Sequence, residues 1–161
     1  MTLPVIERIA AEIQKRLNPV VPDRNKLIGQ ATTVRPGRVI PDAASVIVQQ
    51  QSSRPLPQLD YPGNPPAVAL ECLFNIQCFI ENKTTELEFA QQCNRVVADV
   101  VRLITNPAVD PVMWHNFGGL AINASMGQSR DLLTEFGVNG GVIVPLTVQY
   151  RVSENDHTQV R

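Results

Sequence analysis

Nucleophilic catalysis needs a thiol or hydroxyl beside a base, so the residues to weigh first are the cysteines and histidines. The thiols are Cys72, Cys78 and Cys93, and the imidazoles are His115 and His157. A hydrolase built on Cys72 or Cys78 with His115 is the enzyme these residues would make. Against it, Cys72 and Cys78 fall on the apolar side of the alternating run VALECLFNIQCFI and Cys93 on a predicted helix, where buried reduced thiols are the ordinary state. His157 sits in a polar tail that offers little to order a catalytic group. No CxxC and no His-rich partner stand near the thiols, which argues against structural zinc. The glycines of Gly137-Val-Asn-Gly-Gly141 precede a strand and lack the Lys-Ser/Thr of a phosphate cradle, so they read as a turn. Glu71, Glu81, Glu86 and Glu88 fall on solvated faces or in a helix cap. The residues describe a non-enzyme with no cofactor and no metal.

Binding residues are easier to nominate. Trp114 and His115 precede a diglycine in DPVMWHNFGG, and indole area beside an imidazole tip can make a recognition surface. The simpler reading is a helix-to-strand connection whose Trp plugs the core and whose glycines allow a tight turn. The run QSSRPLPQLDYPGNPP, residues 51–66, holds five prolines, Arg54 and Tyr61. Proline fixes φ and removes a donor, so this stretch is expected to be a long irregular hairpin loop, either partner-binding or slack. Arg24, Arg35 and Arg38 lie in a Pro- and Gly-rich connection and are candidates for subunit contacts.

Charge narrows the partners. The net charge is −1, so no global field recruits nucleic acid or an anionic membrane. It is uneven: residues 1–54 carry eight Lys/Arg against four acids, a net +4, and the remainder a net −5, an asymmetry that can orient subunits. Aromatics are 5% and do not interleave with basic residues, which disfavours stacking on single-stranded nucleic acid. No run of about 18 apolar residues suggests a membrane span. The odd cysteine count, with no secretory signal, points to a reducing compartment.

These candidates must be held by a sheet and two helices. Val68, Leu70, Cys72, Phe74, Ile76, Cys78 and Ile80 alternate with small or polar residues, and the pattern returns in Leu120–Met126 and Val142–Val152. Such alternation predicts strands with one buried and one solvated face. Shorter strands are predicted at 31–34 and 44–50. Ile6, Ile9, Ala10, Ile13 and Leu17 form one stripe of an N-terminal helix with Thr2 as its cap, and Glu7, Arg8, Glu12, Lys15 and Arg16 its polar side. A capping box, Thr85-x-x-Glu88, opens a second helix with a stripe of Phe89, Cys93, Val96, Val97, Val100 and Ile104. The expectation is one α+β domain over 1–161: a two-layer domain, an antiparallel sheet of four or five strands packed by two main helices, with a polar tail, 154–161, frayed or held by a partner.

The opening helix LPVIERIAAEIQKRL, the proline-broken hairpin, the helix after the long strand, the segment Trp114–Gly119 and the closing strand GVIVPLTVQYRVSEND occur in that order. In this the chain resembles the tail terminator or tail completion proteins of long-tailed bacteriophages, also grouped as minor tail or neck proteins. The resemblance implies a virion protein of the tail–neck region, assembled in the host cytoplasm, that forms a homo-oligomeric ring, usually a hexamer. Such a ring caps the tail tube protein, stops its polymerisation and offers a surface to the head–tail connector protein, while genome DNA passes its channel without specific binding. Arg24, Arg35, Arg38, Arg54, Tyr61, Trp114 and His115 are then candidate interface residues, with the 54–66 loop toward tube or connector. Two alternatives stand beside it: a head completion or adaptor protein of the same neck, and a small-molecule-binding regulatory α+β domain with its pocket near Trp114–Gly119.

Overall fold

The computed structural model describes residues 2–18, 31–34, 46–80, 85–105, 113–132 and 140–161. Two strands dominate it. β4, Ala67–Ile80, and β7, Gly140–Ser153, pair antiparallel along their whole lengths, from Ala67 opposite Ser153 to Ile80 opposite Gly140. Short strands share out the free edge of each. Along β4 lie β3, Arg54–Pro55, and β2, Val46–Gln50, with β1, Ala31–Val34, joining β2 in parallel. Along β7 lie β6, Arg130–Leu132, then β5, Asn123–Met126, then β8, Asp156–Val160. The class is α+β, as the alternation predicted, but the sheet has eight strands among the described residues rather than four or five, seven of them linked antiparallel. The surplus strands run two to five residues, too short for a period of two to announce them.

A proline in the middle of a central strand needs a reason, because it has no N–H for the ladder. Pro145 sits in β7, and its carbonyl accepts from Gly127 N–H at 2.8 Å. In an antiparallel strand the nitrogen of a residue points to the same side as its carbonyl. The Pro145 nitrogen therefore faces Gly127, in the gap between β5 and β6, so the bond that proline cannot make falls there and the β4–β7 ladder loses none. Gly127 is needed at this gap, since a Cβ would come within 2.7 Å of Pro145 Cγ.

Two helices cover one face. α1, Val5–Leu17, buries Val5, Ile9, Ala10, Ile13 and Leu17; α2, Glu86–Thr105, buries Cys93, Val96, Val100 and Ile104. Both pack on Cys72, Phe74, Ile76 and Cys78 of β4 and the even-numbered residues 142–152 of β7, one continuous core. The capping box forms as expected: Glu88 N–H donates to Thr85 Oγ1 at 3.4 Å and Thr85 N–H to Glu88 Oε2 at 3.2 Å. Thr2 does not cap α1. Pro4 stands at that position with extended geometry, and its carbonyl receives the N–H groups of Glu7 and Arg8.

Two irregular segments turn out to be built. Residues 51–66 hug β4: Leu56 N–H donates to Ala69 O, a 3-10 turn runs Pro57–Leu59, Asp60 Oδ1 accepts from Ala69 N–H at 2.7 Å, and Arg151 Nε donates to Leu59 O. This lid buries Leu56, Ala67 and Ala69, so that end of the sheet is covered on both faces. The tail is not frayed either. The chain turns at Glu154–Asn155 and returns as β8, where Asp156 Oδ1 takes both the N–H and the hydroxyl of Thr158.

Candidate functional site

The polar face of the sheet carries a ladder of linked side chains. Arg54 Nε donates to Glu71 Oε1 at 2.7 Å, with Nη2 on the same oxygen, and Gln149 Nε2 donates to Glu71 Oε2 at 3.0 Å. The Gln149 amide, helped by Arg54, holds the Glu71 carboxyl below its ordinary range although burial opposes this. Nearer β2, Gln49 Oε1 accepts from Gln51 Nε2 at 3.1 Å and from Gln77 Nε2 at 3.2 Å. Between the two groups lies Asn75, 7% exposed, whose Oδ1 has no hydrogen-bond partner among the described residues. On this face Glu71, Gln77 and Gln149 are linked to neighbouring strands rather than independently solvated, with the apolar Leu73, Phe79, Ile143 and Pro145 between them. Alternation assigns residues to faces and cannot report such links.

On the helical side the organising residue is Arg16. The guanidinium donates from Nη1 to Ile104 O and to Trp114 O, both at 2.9 Å, and from Nε to Glu12 at 3.3 Å. Its Cζ lies 4.2 Å from the centre of the Phe117 ring, and the side chain is only 6% exposed. A cation over an aromatic face, bonded to Ile104 O at the end of α2 and to Trp114 O, satisfies a carbonyl that the helix terminus otherwise leaves open and ties the following turn to it. Sequence reasoning placed Arg16 on the polar side of α1. The signal it missed is spacing: 6, 9, 13 and 16 follow the three-and-four rhythm of the buried stripe.

Arg16 holds a 3-10 turn at Trp114–Asn116. Trp114 is half-buried against the core, and His115 meets it edge-on at 6.1 Å. Phe117, at φ +49° and 1% exposed, Gly118 at +68° and Gly119 at +85° form the tight turn expected from the diglycine. Of the other sequence-nominated residues, Arg54 joins the polar ladder and Tyr61 stands out at 60% exposure. The structure brings Trp114 together with His115, and it sets Arg54 and Tyr61 on the lid over β4. Arg24, Arg35 and Arg38 lie outside the described residues.

The thiols are arranged for packing. Burial pushes Cys72 up to about 11, against the opposing bonds to Ser53 and to Gln51 O, and Cys78 up to about 12. Cys93 is raised as well, by burial first and then by Asp131. Ser53 Oγ and Tyr150 Oη, 2.8 Å apart, complete the cluster around Cys72. A thiol reagent at pH 7.5 is expected to leave Cys72 and Cys78 unmodified in the folded chain and to label all three cysteines once it is unfolded; fast native labelling of either would revive the hydrolase reading.

No helix among the described residues is long and apolar enough to cross a membrane. What fold and surface define together is an α+β domain with a helical side devoted to its core and an opposite sheet face that carries two linked polar groups among apolar residues. Compared with protein families and with curated proteins, the chain matches none.

Proposed function

We propose that this chain is a structural assembly protein, a ring-forming terminator of a phage tail tube that also offers the head–tail joining surface. The observation that carries this reading is the asymmetry of the sheet: helices on one face, the polar ladder from Arg54 through Glu71 and Gln149 on the other. A sheet of this kind suits repeated docking between subunits, because fixed polar partners set register and orientation more than affinity. A head-to-tail contact closes into a ring when its rotation closes, and the uneven charge along the chain supports such a contact. The order of elements from LPVIERIAAEIQKRL to the closing strand supports the phage assignment. The segment at 54–66 bears on partners too: it is tied to β4 and β7, and it holds Arg54 and Tyr61 exposed on a fixed backbone.

The test is capping. Chain added to polymerising tail tube protein is expected to stop growth and leave extra density at one end of each tube. Tubes that grow to their usual length with bare ends would reject the proposal.

A further inference from the structure

β4 runs for 14 residues, but β2 ends at Gln50, opposite Phe74. The outward edge from Ala67 to Leu73 therefore lies beyond the reach of β2. Left bare, it would present about 23 Å of unpaired backbone. Its sequence, AVALECL, has one charge and no proline. An apolar, uninterrupted edge of that length is a template for the strand of another copy.

Among the described residues, the segment 51–61 lies along this edge and answers its polar groups. Gln51 N–H donates to Leu73 O and Leu56 N–H to Ala69 O, both at 2.9 Å. β3 pairs Arg54 with Glu71 and Pro55 with Leu70, and Tyr61 exchanges two backbone bonds with Ala67. Ala69 N–H goes to the Asp60 carboxylate at 2.7 Å, so a side chain stands where a paired strand would place a carbonyl.

The outer rim of the segment does not pass the pairing on. Pro55, Pro57 and Pro62 have no N–H. Leu56 and Tyr61 donate theirs to β4, and Leu59 and Asp60 donate to Leu56 O and Pro57 O around the 3-10 turn. From Pro55 to Tyr61 only the N–H of Gln58 has no such use. A ladder needs donors at alternate residues of an extended strand, and one donor on a turn does not make one.

We propose that residues 51–66 are an edge guard, which keeps a second copy of this chain from pairing its own β4 edge with this one. Two like edges meet antiparallel about a twofold axis, so the contact prevented is a closed β4–β4 pair. The guard is needed whether or not the chain forms a ring.

The test uses the full-length chain in two variants. In one, residues 54–62 are replaced by a Gly/Ser run of equal length, which keeps the connection and removes the cover. The other, Leu56→Ser with Asp60→Ala, loosens the same segment at a buried side chain and at the Ala69 tie, and it decides the matter if the first variant does not melt cooperatively. Hydrogen exchange at the Ala67 and Ala69 amides, read by NMR in dilute solution, is expected to quicken by about a hundredfold. As concentration rises, light scattering should show particles of about twice the wild-type mass at the same concentration, with both amides protected again. Folded variants that keep the wild-type mass while these amides exchange fast would overturn the guard. So would excess mass that leaves the amides fast, since the copies would then meet elsewhere. Amides that stay as slow as in wild type would show that the segment is not what shields the edge, and would overturn it as well.

Discussion

Arg16→Ala is expected to cost about 3 kcal/mol of stability, a fall of about 10 °C in melting temperature for a chain of this size. The change strips the donor from Ile104 O and Trp114 O and removes the cation above Phe117. Hydrogen bonds from a charged group count for more than neutral ones, and the carbonyls left behind cannot all recruit water beside a core. Phe117 makes the loss larger. It holds a left-handed backbone that a bulky residue adopts only when its surroundings compel it, and the Arg16 stack is part of that compulsion. Arg16→Lys keeps the charge but not the planar fork and should lose about half as much. The chain has one tryptophan, so emission reports this site directly. A red-shifted Trp114 signal in folded Arg16→Ala is expected, and an unchanged melt and spectrum would show that the guanidinium is incidental.

Gly141→Ala is expected to be the most damaging small substitution, about 4 kcal/mol. A Cβ at this position would stand 1.9 Å from the carbonyl oxygen of Cys78 and 3.2 Å from Cα of Phe79. Those atoms belong to the backbone of β4, so no rotamer change relieves the overlap; the two long strands must separate where they pair. Gly127→Ala meets a proline ring edge, Pro145 Cγ at 2.7 Å, which can shift, and should cost less than half as much. Urea denaturation of both variants checks the order. Equal losses would mean that strand separation at Gly141 is easier than the geometry implies.

The fold was legible where burial has a period. Cys72, Phe74, Ile76 and Cys78 and the even residues of 142–152 are core because alternation follows the pleat, and the Thr85–Glu88 box is local enough to read from four letters. What escaped depends on partners far along the chain. Ala67 and Ala69 sit on the polar face yet are buried, because a proline-rich segment lies across them. β8 has no alternation to read; a two-residue turn and the Asp156 cap hold it against β7. Arg16 reads as a surface charge until its acceptors, 88 and 98 residues away, are placed beside it. For the candidate site, Tyr61, Trp114 and His115 could be nominated by type, but the Glu71–Gln149 link spans 78 residues and only pairing of β4 with β7 creates it.

The central claim is assembly, and its most direct test is the mass and shape of the purified chain, by light scattering and negative-stain microscopy, with and without purified tail tubes. The account predicts a closed ring, formed either by the free chain or on the end of a tube. A chain that stays monomeric in the presence of tubes and leaves their ends bare would contradict it.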